Sequence, residues 1–159
     1  MSLAVLLILS SLGVAQDLDP SLAPQAAQYT ADLEVLKTAR KAQLAGSTRI
    51  YLVQLDAALK TPALDAATAT TLKKERDGVA SGLLVPANPV GLPADILVAR
   101  KAFFSGVGKA SFDFTAGKKK IDDAYLKVLT GLARKAKAKT VPAGLSAQVA
   151  AERRRVLAR

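Results

Sequence analysis

Proline sets the first limit on what this chain can fold into. Its seven prolines fall at positions 20, 24, 62, 86, 89, 93 and 142, leaving 25–61 and 94–141 without one. A proline inside a helix removes a hydrogen bond and clashes with the turn before it, so the longest helices are expected in those two runs. Within them the apolar residues recur at helical spacing: Tyr29, Leu33 and Leu36, then Tyr51, Leu55 and Leu59. Alanine, leucine, lysine and glutamine fill the intervening positions and favour helix over strand. Thr61 and Pro62 read as an N-cap and first helical residue, predicting a shorter helix over about residues 62–78. Gly46-Ser47-Thr48 either kinks the first long helix or splits it, and the sequence leaves both open.

The second half repeats this plan. A shift of 74 residues carries Tyr29 onto Phe103, Leu33 onto Val107, Tyr51 onto Tyr125, Leu52 onto Leu126 and Leu55 onto Leu129. A shift of 77 carries Leu72 onto Val149, Glu75 onto Glu152, Arg76 onto Arg153 and Val79 onto Val156. Two registers that each match several apolar and charged positions predict a tandem duplication, with a few residues inserted between the long and short helices. Tyr51 and Tyr125 should then lie in equivalent surroundings. A long helix of about 36 residues, roughly 54 Å, followed by a shorter one running back along it cannot bury its apolar stripe alone. The expected fold is all-α: tandem helical hairpins packing as an antiparallel four-helix bundle or a coiled-coil-like array. The organisation read from the sequence is a signal peptide over 1–15, hairpin units over 16–81 and 94–159, and a proline- and glycine-rich connector over 82–93. With 4% aromatic residues and one methionine, the core is expected to be mainly leucine, valine and alanine.

Leu3 to Leu9 is almost uninterruptedly apolar, and Gly13 and Ala15 supply small residues for a cut before Gln16. This is the pattern of a secretory signal, although no lysine or arginine precedes the apolar core. The stretch is too short to span a bilayer, which takes about 20 apolar residues. Export to the periplasm or the extracellular space is the expectation. The absence of cysteine removes both a lipid-modified cysteine and a disulfide framework.

Much chemistry is excluded by composition. With no histidine and no cysteine there is no Ser-His-Asp or Cys-His centre, no ordinary zinc site and no haem or iron–sulfur ligation. Asp122-Asp123 is an adjacent acidic pair, but neighbours on a helix diverge by about 100° and do not converge on one metal. It reads as an acidic pair at a helix N-terminus. Glu75 and Glu152 fall on or beside the apolar stripe of their helices, so each needs a partner, expected from a long helix because Arg76 and Arg153 point elsewhere. Ser105 and Lys109 share a helix face, but no oxyanion-hole signal or strained turn accompanies them. GVGKAS lacks the phosphate-loop spacing, and Gly106 and Gly108 read as helix loosening or close helix approach. No catalytic, cofactor-binding or metal-binding residue is expected, and no cofactor.

The Tyr-x-x-x-Leu spacing at Tyr29/Leu33, Tyr51/Leu55 and Tyr125/Leu129, with a short helix carrying Glu-Arg behind it, resembles a type of exported bacterial helical-hairpin protein without an assigned function. The resemblance covers most of residues 25–159. It implies an exported, helical, non-enzymatic component and assigns no site.

Charge is the remaining feature with functional content. Residues 17–90 hold eight basic and eight acidic side chains, whereas residues 91–159 hold 15 basic and 5 acidic ones and so the whole net charge of +10. The excess clusters at Lys118, Lys119 and Lys120, at Arg134, Lys135, Lys137 and Lys139, and at Arg153, Arg154 and Arg155. Lys120, Lys127 and Arg134 recur every seven residues, along one helix face. These eleven are the candidate binding residues for a polyanion: nucleic acid, acidic polysaccharide or an anionic membrane surface. Aromatics are sparse beside them and no sequence-reading nucleic-acid motif is present. The leading reading is therefore a structural or interaction protein that presents helix faces to a protein partner or to its own copies, with polyanion binding as the alternative.

Overall fold

Just before the first helix, the Asp19 carboxylate accepts hydrogen bonds from the Ser21 amide and hydroxyl. The structure, a computed structural model, describes residues 18–62, 64–82, 91–138 and 144–158. Residues 1–15, most of the 82–93 connector and Lys139 lie outside these. Four helices and no strand occur among the described residues: α1 (Ala23–Ala58), α2 (Ala66–Ala80), α3 (Ala94–Lys137) and α4 (Leu145–Leu157). The fold is all-α, as expected. None of the described helices is long and apolar enough to cross a membrane.

The helix ends follow from local chemistry. Pro24 sits in the first turn of α1, where its missing N–H costs nothing. Gly46-Ser47-Thr48 does not divide α1, which is one 36-residue helix. The expected start of α2 at Thr61-Pro62 is corrected to Asp65, whose carboxylate accepts from the Thr68 amide at 2.9 Å and the Thr68 hydroxyl at 2.6 Å. A carboxylate three residues before a donor makes both capping bonds here, while the amides of Leu59, Lys60 and Thr61 bond back to Leu55, Ala57 and Ala58 at the end of α1. After the C-cap Ser81, Gly82 adopts φ +71°, the left-handed conformation that ends a helix and that glycine takes without strain. α3 carries Asp95 in its first turn and Arg134, Lys135 and Lys137 in its last, matching the helix dipole at both ends. Asp122 and Asp123 therefore lie deep within α3 and are not an N-terminal pair.

The chain forms two compact units, one from residues 1–35 and 117–159 and the other from residues 36–116. These divide the chain at places other than the two hairpin halves of the sequence. In the first unit Tyr29, Leu33, Tyr125, Leu129, Val149 and Val156 are among the buried residues. In the second the core includes Tyr51, Leu55, Leu72, Val79, Leu92 and Ile96. Burial of side chains of this size stabilises by roughly 1.5–3 kcal/mol each. All three tyrosines are core residues, so the core is more aromatic than composition suggested.

Within the second unit, Arg40, Ser47 and Tyr51 of α1 meet Phe114, Gly106 and Phe103 of α3 in turn, so the partners descend along α3 as positions rise along α1. A Cβ at Gly106 would lie 2.5 Å from Ser47 Oγ, which makes this glycine one of close helix approach. Gly108 has open space around it.

Candidate functional site

Each unit is organised around a buried glutamate on a short helix. In the second unit Glu75 accepts from Tyr51 Oη at 3.0 Å and from Arg100 Nε at 2.7 Å, with the Arg100 and Glu75 side chains 7% and 3% exposed. The Tyr51 ring stacks on Phe103 at 5.1 Å, and the Arg100 guanidinium lies over Phe104. In the first unit Glu152 accepts from Tyr125 Oη at 3.3 Å and from Arg155 at 2.6 and 2.9 Å. Tyr125 stacks on Tyr29 at 4.4 Å.

The two centres match position for position under the sequence offsets. Phe103 follows Tyr29 by 74, Tyr125 follows Tyr51 by 74, and Glu152 follows Glu75 by 77. Tyr51 and Tyr125 lie in the equivalent surroundings expected of them, 1% and 5% exposed. The arginines differ. The position equivalent to Arg100 is Ala26, and the position equivalent to Arg155 is Gly78. Each centre thus has one close arginine, delivered to Glu75 from α3 and to Glu152 from α4 itself. The expectation of a long-helix partner holds for both tyrosines and for Arg100, but Arg155 corrects it: three residues after Glu152 on the same helix, it reaches back over one turn.

These groups act as structural ties. Burial, followed by the hydrogen bond to Glu75, raises the Tyr51 phenol well above its ordinary pKa. Burial, with the negative charge of Glu152 next, pushes Tyr125 up to about 12. Both phenols therefore remain protonated donors at neutral pH. No group of three or more acidic residues placed to hold a metal ion occurs among the described residues. Lys109 pairs with Asp113 at 2.7 Å, four residues on.

Several of the basic candidates are already engaged. Lys118 pairs with Asp122 at 2.5 Å, and Lys119 with Asp123 at 2.8 Å. Asp122 also accepts from Tyr29 Oη at 2.9 Å. Arg155 is tied to Glu152 and lies over the Tyr29 ring. Lys120, Lys127 and Arg134 are exposed on α3, as are Lys135 and Lys137, and Arg153 and Arg154 are exposed on α4. The heptad-spaced face of Lys120, Lys127 and Arg134 thus belongs to the part of the basic set that is exposed. The charge imbalance between sequence halves does not carry over to the compact units. The first holds 12 basic and 7 acidic residues and the second 11 and 6, so each is +5. Asp19, Asp32 and Glu34 share a unit with the basic end of α3.

Each unit also has a groove between α1 and α3. In the first unit it measures about 270 Å3 and is lined by Gln25, Gln28 and Tyr29 of α1 with Ala124, Tyr125 and Val128 of α3, among others. In the second, a groove of about 140 Å3 is lined by Ala99, Ala102 and Phe103 of α3 with Ile50, Tyr51 and Gln54 of α1. An offset of 74 relates every one of these six pairs. Sequence reading missed both grooves and missed Arg100. The available signal for Arg100 was one cation set among apolar Ile96, Ala99 and Phe103 at helical spacing.

Neither the protein-family models, the curated proteins nor the solved structures compared with this chain give a match.

Proposed function

We propose that this is an exported helical structural or interaction protein without catalytic activity, built by tandem duplication as an antiparallel helical bundle. The observation that carries the reading is the recurrence of one groove, between the same two long helices, in both units. The buried polar groups beside these grooves are occupied in holding helices together, which leaves the helix faces as the working surface. A photo-crosslinking residue at Gln54 or Gln28 tests this in the exporting cell. The expected result is a discrete adduct with a polypeptide, and the exported product should begin at Gln16. Absence of any discrete adduct at both positions, or retention of an unprocessed chain in the cytoplasm, contradicts it.

A second reading, polyanion binding, is favoured by the outward face of Lys120, Lys127 and Arg134 together with Arg153 and Arg154. Binding of this kind falls steeply with salt because counterions are released from the polyanion. Affinity for heparin or for duplex DNA should drop at least tenfold between about 50 and 200 mM salt, and neutralising these five residues should abolish it. Salt-independent binding that survives neutralisation eliminates this reading.

A further inference from the structure

We infer that the α1/α3 groove of the second unit is a docking site for an amphipathic helix of another protein, one with an apolar stripe flanked by acidic residues. This rests on the interaction reading above and names the chemistry of the partner. The first unit serves as an internal control. Ile50 lines the groove of the second unit, and Val53 and Val98 stand next in chain to its lining residues Gln54 and Ala99; the three are 65%, 62% and 72% exposed. Their offset-74 equivalents are Ala124, Lys127 and Pro24. A groove lined by the equivalent positions forms without those large apolar side chains, so the core does not require them. Three exposed branched side chains beside one groove are an apolar surface in excess of what folding uses.

α2 already packs on this helix pair through Leu72 and Val79, and no α2 residue lines the groove. A second recess, of about 320 Å3 and of mixed polar and apolar lining, lies along the same two helices and includes Gln54, Ala57, Asp95 and Ala99, so the track is more than one turn long. Amphipathic helices dock into such tracks through residues at i, i+3, i+4 and i+7.

The rim selects the charge of the partner. Arg49 lies four residues before Val53 and Lys101 three after Val98, so both flank the apolar residues on their helices, and Lys60 follows in the turn after α1. All are exposed, and Asp95 is the acidic residue that lines the track. A cationic rim around an apolar track complements a helix with acidic flanks and disfavours one with basic flanks.

The test uses a labelled 21-residue peptide with leucines at i, i+3, i+4 and i+7 and glutamates beside them, followed by fluorescence anisotropy on the protein. Saturable binding is expected, weakened at least tenfold by Ile50→Gln with Val98→Gln and also by Arg49→Glu with Lys60→Glu. Ala124→Gln, in the equivalent groove, should leave it unchanged, and a lysine-flanked peptide should bind at least tenfold more weakly. Unchanged urea midpoints of the exposed-site variants show that folding is intact. Binding equal in wild type and Ile50→Gln/Val98→Gln overturns the inference. So does a concentration-dependent dimer, or adsorption to phosphatidylglycerol vesicles, that the same pair of changes abolishes, since the occupant is then a second copy or a membrane. A Gln54 adduct in the cell alongside failure with the acidic peptide leaves the interaction reading standing and removes only this one.

Discussion

Glu75 and Arg100 form a 2.7 Å ion pair with both side chains more than nine-tenths buried, and Tyr51 donates to the same carboxylate oxygen. Removing one member of such a pair strands the other charge. Glu75→Gln should therefore cost about 3–5 kcal/mol in urea unfolding. Glu152→Gln should cost less, about 1–3 kcal/mol, because Arg155 is 36% exposed and water can take over part of its solvation. Equal costs would mean that the two centres are not distinguished by burial.

The exchange of arginines between the centres can be built into one chain. Arg100→Ala places in the second unit what Ala26 places in the first, and should destabilise it. Adding Gly78→Arg, which puts a guanidinium three residues after Glu75 as Arg155 stands after Glu152, should restore about 1–3 kcal/mol of that loss. Urea midpoints of the single and double variants measure it, and a double variant no better than Arg100→Ala refutes the equivalence.

The buried phenols make stability fall in alkali. A group whose folded pKa is raised holds its proton more tightly in the fold, so its contribution is complete below its unfolded value of 10.0 and is lost as pH rises through the folded one. For Tyr125 that window is pH 10 to about 12. Between about pH 9 and about pH 11.5, wild type should lose more of its urea midpoint than Tyr125→Phe does, so that the gap between them narrows or reverses. Lysine titration affects both alike and cancels in the comparison.

Gly106 and Gly108 lie two residues apart in α3 and should respond in opposite ways to alanine. Gly108→Ala meets open space and should stabilise by about 0.5–1 kcal/mol through helix propensity. Gly106→Ala puts its Cβ 2.5 Å from Ser47 Oγ and 3.3 Å from Ser47 Cβ, so Ser47 must rotate and yield. Its gain should be erased or turned into a loss, measured by thermal unfolding of the two variants side by side.

The helices were legible in the sequence because proline and apolar spacing are local signals. The offsets that carry Tyr51 onto Tyr125 and Glu75 onto Glu152 relate residues that are each buried and joined by a tyrosine–glutamate hydrogen bond. What lay hidden depends on contacts distant in sequence. Nothing adjacent to Glu75 announces Arg100, 25 residues away. The start of α2 was misplaced because Thr61-Pro62 and Asp65 are both reasonable caps by residue type, and only Asp65 finds donors, on Thr68. The charge imbalance between sequence halves was real along the chain, yet it evens out once residues 1–35 join residues 117–159.

The core of the second unit takes helices from both halves of the sequence. The second unit, residues 36–116, contains its core and its Tyr51–Glu75–Arg100 tie within one continuous stretch. The most direct measurement is urea unfolding, followed by circular dichroism, of three fragments: 36–116, 16–81 and 94–159. A cooperative transition is expected for 36–116 and none for either half-chain fragment alone. Cooperative folding of 16–81 and 94–159 with a non-cooperative 36–116 would contradict it.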